Sequence, residues 1–135
     1  MEVILAEHLG FCYGVKRAIE IARQNASSDG TSSTLGPIIH NPQMVERLKK
    51  EGVGTVGSLD EMEDGLVIIR SHGVGPNVYE EAESRGLEVV DATCPHVKKA
   101  QLSAKLLAEE GYTVVIVGEK NHPEVKSIYE WTTPD

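Results

Sequence analysis

At 135 residues the chain is long enough for one domain with a real core, and 40% hydrophobic with 25% charged residues is ordinary for a globular protein. A net charge of −8 argues against nucleic acid or an anionic membrane surface as the main partner, although local N–H groups and a few cations can still hold a small anion. No run approaches the roughly 18 apolar residues of a membrane span, and the opening MEVILAEHLG has neither a basic n-region nor a cleavable apolar core, so no membrane and a cytoplasmic location are expected.

Residues 2–6 form an apolar run that predicts a first strand. A loop from His8 to Gly14 follows, with Cys12 between glycines, and then an amphipathic helix over 15–24 with Val15, Ala18, Ile19 and Ala22 on one face. The stretch 26–33, ASSDGTSS, reads as a polar surface turn, and 34–39 as a weak strand leading to His40. Asn41 suits an N-cap and Pro42 the first helical position, so a helix over 43–51 is predicted, ending at Gly52. A short strand at 54–57 and a capped turn from Ser58 precede the apolar strand 66–70.

That strand runs into SHGVGP, and Pro76 opens a helix over 77–85, closed by Gly86. The strand 87–91 leads to Cys94, followed by a long helix over 97–110 and a strand over 112–117. Residues 118–125 are predicted as loop, and 127–135 as a tail without a helix. The strand–helix alternation predicts an α/β fold with a parallel sheet flanked by helices.

Cys12, His40, His72, Cys94, and His122 with Glu124 all fall just after predicted strands. In a parallel sheet those ends share one edge, where N–H groups and helix dipoles converge on ligands. Singly, each has a plainer explanation: a cysteine is a small hydrophobe, and a loop histidine is often a surface residue. Their joint placement is the functional signal. The chain has no Walker loop, no G-x-G-x-x-G fingerprint and no C-x-x-C pair. Two widely separated cysteines in such a chain are expected to be reduced rather than bridged. They leave open a zinc site shared with histidines, or an iron–sulfur cluster, which usually needs a third thiolate.

Five blocks taken together resemble one family: GFCYGVKRA at 10–18, LGPIIHN at 35–41, RSHGV at 70–74, DATCPHV at 91–97 and NHPEV at 121–125. The resemblance is to the LytB-type iron–sulfur reductases of the non-mevalonate isoprenoid pathway, which act on 4-hydroxy-3-methylbut-2-enyl diphosphate. It implies a [4Fe–4S] cluster with Cys12 and Cys94 as two of three thiolate ligands and one iron open to substrate. His40, His72 and His122 would grip the diphosphate of a small allylic substrate, and Glu124 would deliver a proton. The reaction implied is reductive loss of the allylic hydroxyl, giving isopentenyl and dimethylallyl diphosphates with electrons from ferredoxin or flavodoxin.

Members of that family are longer and carry three similar α/β modules, with the third cysteine beyond the first. On this reading residues 1–94 are a first module and 95–135 an incomplete start of a second, so the chain is a fragment, expected to be inactive alone and to hold a labile cluster or none. An exposed sheet edge and apolar surface would then favour self-association. The alternative is a free-standing metal-binding or redox-sensing module using Cys12 and Cys94.

Overall fold

The computed structural model describes residues 1–7 and 9–132; His8 of the predicted loop and 133–135 of the predicted tail lie outside the described residues. The elements run α1 (Tyr13–Gln24), β1 (Ser32–Leu35), α2 (Pro42–Lys50), β2 (Gly54–Val56), a short 3-10 turn (Leu59–Glu61), β3 (Leu66–Ile69), α3 (Pro76–Ser84), β4 (Glu88–Asp91), α4 (Pro95–Glu109) and α5 (Pro123–Glu130).

The four strands form one parallel sheet in the order β2-β1-β3-β4, as the alternation predicts. Chain order reverses between β1 and β3, whose ends pair Leu35 with Ile69. A reversal of this kind opens a crevice beyond the carboxyl ends of the two strands, where the diverging crossovers leave room for a ligand.

Helices cover both faces. Ala18, Ile19 and Ala22 of α1 and Leu48 of α2 pack with Ile38, Ile39, Val53, Ile68 and Ala92 on one side. Leu59, Val67, Ala82 and Leu87 form the smaller core on the other. The alternation of Val67 and Ile68 between the two cores is the period-2 pleat of a strand, and burial on both faces explains the unbroken apolar run LVII.

Four helices begin with proline at their first position, each preceded by a residue of different chemistry: Asn41, Gly75, Cys94 and His122. The missing N–H of proline costs nothing there, since that donor has no partner inside a helix. At α2 the Asn41 side chain accepts from Met44 N at 2.9 Å, which completes the predicted cap.

Three sequence expectations fail. Residues 2–6 and 112–117 are not strands; they join no ladder, and Ile4, Val115 and Val117 are largely exposed. Both runs have strand composition, but composition does not supply a neighbouring edge to bond to. The third failure is the tail, because α5 occupies 123–130 where loop and irregular chain were predicted. His122-Pro123 repeats the start device of the other helices, and the helix is held by packing against α4.

Smaller differences concern polar residues. Ser32 and Ser33, predicted in a surface turn, are buried in β1 between β2 and β3. The strand stops at Leu35 because Gly36 turns with φ of 71° and Pro37 cannot donate to a ladder. Ile38 and Ile39 then bury in the core while His40 stays at the surface.

Candidate functional site

The crevice between β1 and β3 is where the predicted histidines meet. The segment after β1 presents His40, the turn after β3 presents His72, and the start of α5 presents His122. Ring centroids are 4.4 Å apart for His40 and His72, 5.4 Å for His40 and His122, and 5.7 Å for His72 and His122. Each ring offers a nitrogen within 4.8 Å of the others. Residues up to 82 positions apart in sequence therefore form one cluster of imidazoles.

What brings His122 to the other two is the docking of α5 on the loop after β3. Ser127 Oγ donates to His72 O at 2.8 Å, and Trp131 Nε1 donates to Val74 O at 3.0 Å. Gln101 of α4, almost fully buried, also donates to Val74 O at 3.4 Å. The turn itself needs Gly73, where φ is 72° and a Cβ would lie 2.4 Å from Gln101 Nε2.

The electrostatics favour an anion. His72 is only 9% exposed, and its pKa is pushed down to about 4, first by burial and then by His40, Arg70 and His122. The ring is therefore neutral at pH 7, and its Nδ1 is buried with no hydrogen-bond partner among the described residues. Arg70, two residues earlier, lines an adjoining cavity of about 310 Å³ with Gly36, Val74, Ser127 and Glu130. Burial holds its guanidinium below its ordinary pKa, which still leaves it cationic at neutral pH, and Glu130 opposes that shift.

At His122 the Nδ1 caps α5 by accepting from Glu124 N at 3.3 Å. A neutral ring in that arrangement carries its proton on Nε2, which makes that nitrogen a donor. Donation suits a phosphate oxygen better than a metal ion, which needs a free lone pair. Glu124 lies in the first turn of α5, half-buried, and its carboxylate accepts no hydrogen bond among the described residues.

The two cysteines are brought to neighbouring helix starts. Cys12 is the N-cap of α1 and Cys94 the N-cap of α4; neither side chain makes a cap bond, and both are free thiols. Gly14 of α1 is buried against Cys94, so that a Cβ there would lie 2.4 Å from Cys94 Sγ. The sequence marks Gly14 only as a glycine beside Cys12, and nothing in it announces the contact with Cys94.

As a donor set the pair suits two ligands of an iron–sulfur cluster: soft, unbridged thiols beside N–H-rich helix ends, with a cradle kept open by a glycine. The fit is partial, because these 135 residues hold only two cysteines.

Fold and site together define an α/β protein that gathers thiols and imidazoles beyond one end of a parallel sheet. The LytB protein family model matches residues 3–135, and the chain belongs to that family. It is 53% identical over 131 residues to the 4-hydroxy-3-methylbut-2-enyl diphosphate reductase of Geobacter sulfurreducens, covering 97% of this chain and 46% of the relative. The corresponding reductase of Pelobacter propionicus is also 53% identical over 131 residues, with 97% and 47% covered.

Solved structures agree. One of (E)-4-hydroxy-3-methyl-but-2-enyl diphosphate reductase, the terminal enzyme of the non-mevalonate pathway, superposes with a TM-score of 0.81 at 50% identity, covering 96% of this chain and 46% of that one. The E-1-hydroxy-2-methyl-but-2-enyl-4-diphosphate reductase from Plasmodium falciparum gives 0.86 at 35% identity, with 90% and 39% covered. The chain thus spans under half the length of the curated relatives it matches.

Proposed function

We propose that this chain supplies the diphosphate-holding and two-thiolate portion of a 4-hydroxy-3-methylbut-2-enyl diphosphate reductase. The observation that carries the reading is the convergence of His40, His72 and His122, with ring centroids 4.4 to 5.7 Å apart, in a crevice where Arg70 adds positive charge.

In this role the Nε2–H of His122 donates to a phosphate oxygen, and His40 and His72 contribute ring N–H groups. An arriving anion favours the charged form of His72, so that ring takes up a proton as the diphosphate binds. Glu124, at the head of the same helix as His122, holds the proton for the substrate carbon. Cys12 and Cys94 are two thiolates of a [4Fe–4S] cluster, and the third comes from outside these residues. Such a cluster, when bound, supplies single electrons and an open iron for the allylic hydroxyl. Ferredoxin or flavodoxin is the electron donor and the cytoplasm the compartment. Residues 1–94 form the first module and 95–135 the start of a second, whose exposed apolar runs drive self-association of this piece.

The test is thermal melting with inorganic pyrophosphate, since a ligand of the native state must raise Tm. A rise that disappears in His72→Asn and His122→Ala is expected. An equal rise in those variants, or none at saturating pyrophosphate, removes the histidine trio from the reading.

A second reading, a small metal-binding or redox-sensing module, draws on the two free thiols. One equivalent of zinc after purification, without acid-labile sulfide and lost in Cys12→Ser and Cys94→Ser, would favour it.

A further inference from the structure

The hydrogen bonds around Cys94 single out α1 as the element that sets the geometry of the thiol pair. The Thr93–Cys94 peptide is held from both sides: Cys94 N donates to Ser71 O at 2.9 Å, and Thr93 O accepts from Arg17 Nη1 at 3.2 Å. Cys94 O in turn accepts from Lys98 N at 2.9 Å, the first bond of α4. The backbone at Thr93 and Cys94 is therefore fixed at three points, one of them by a side chain of α1 that lies 76 positions before Thr93.

The same helix limits where the sulfur can go. Gly14 is buried, and a Cβ on it would lie 2.4 Å from Cys94 Sγ and 3.1 Å from Cys94 Cβ. The first of these contacts is too close for any real side chain. Because the clash falls on the sulfur itself, alanine at 14 must rotate Cys94 away or lift the N-terminus of α1. Cys12 lies two residues before Gly14 on the same helix start, with its carbonyl already bonded to Lys16 N at 3.0 Å.

We propose that Gly14 and Arg17 are positioning residues that hold the Cys94 and Cys12 thiols at bridging distance, so that one soft group can be bound by both. The inference rests on the two cysteines acting as a pair, as proposed above, and adds which residues make them one. Arg17 fixes the height of the Cys94 peptide against α1, and Gly14 leaves the space in which the sulfur turns toward Cys12. Neither residue touches the bound group.

The test uses the chain without any metal. Dibromobimane fluoresces strongly only when it bridges two nearby thiols, while a monofunctional alkylating agent reports each thiol separately. The wild-type chain is expected to bridge readily. Gly14→Ala should lower the bridging rate by about ten-fold or more while single-thiol alkylation stays within about two-fold, because the change is in geometry rather than in reactivity. Arg17→Ala should lower bridging by a smaller factor, and Arg17→Lys should restore part of it. Titration with Cd²⁺, followed by its thiolate absorption, should rank the variants in the same order.

Circular dichroism and melting identify a variant that has lost its fold; if Gly14→Ala does so, the Arg17→Ala and Arg17→Lys pair decides. Bridging in the wild type that is unchanged in both Gly14→Ala and Arg17→Ala overturns the positioning role and leaves the thiol pair intact. A loss of bridging matched by an equal loss of single-thiol alkylation also overturns it. No bridging in the wild type would sink the thiol pair itself.

Discussion

Strand β3 and the segment 112–117 are both short runs of β-branched residues, yet Ile68 is fully buried while Val117 is 94% exposed. The same contrast holds at the other end of the chain, where Ile4 is 84% exposed. β3 lies between β1 and β4 with four register pairs on each side and a helical layer against each face. The segment 112–117 pairs with nothing in the sheet and lines an open groove against Val125 and Tyr129 of α5. Pairing and coverage come from residues far away in sequence, so apolar composition makes a segment eligible for a sheet without placing it there.

The difference has measurable consequences. The largest is expected from Ile68→Ala, which removes buried methylenes between two ladders and should cost about 3–4 kcal/mol in urea unfolding. Ile4→Ala, a similar deletion in the exposed run, should stay within about 0.5 kcal/mol. Equal losses at the two positions would erase the contrast.

Next in size is a pH effect centred on the buried side of the site. The folded pKa of His72 is about 4, below its ordinary 6.5, so the unfolded chain binds more protons between these values. The stability from keeping this ring neutral is present above pH 6.5 and is lost as pH falls toward 4. About 2 kcal/mol should disappear over that window in urea titrations, with a flatter profile in His72→Asn. An identical slope in the variant would move the effect to other groups.

Smaller again is Ser127→Ala. It removes the donor to His72 O and should cost about 1 kcal/mol of stability. It should also weaken pyrophosphate binding, because α5 loses part of its hold on the loop. Unchanged binding with reduced stability would show that His122 is placed by other contacts. The smallest stability change, within about 0.5 kcal/mol, is expected from Val117→Lys, whose effect should instead be on association. Sedimentation should show less self-association than wild type, and no change would dissociate the exposed run from any contact between copies.

Much of the fold was legible because it is written in local signals. Asn41-Pro42, Pro76 and Cys94-Pro95 mark three helix starts, and the run LVII marks the central strand. His122-Pro123 is the same signal, but it introduces only eight residues whose inward face includes the polar Ser127, so periodicity gave no support. His40 and His72 were legible from the rule that strand ends share an edge, whereas His122 was expected after a strand over 112–117 that does not form, and it reaches the cluster as the N-cap of α5. The contacts that assemble the cluster were not legible, since Ser127 to His72 O and Trp131 to Val74 O join positions more than 50 residues apart. For Gly14 and Cys94 the informative quantity is an empty space beside a sulfur, which has no counterpart in a string of letters.

Helix α5 grips the loop after β3 through the main-chain carbonyls of residues 72 and 74 rather than through their side chains. Scaffold and chemistry are thereby separated at this edge of the molecule. The side chain at 72 can be exchanged for another donor or acceptor while the bonds that seat α5 remain available. This makes part of the imidazole cluster an engineering handle: new ligand preferences can be written at 40 and 72, while His122 is kept because its ring also caps α5.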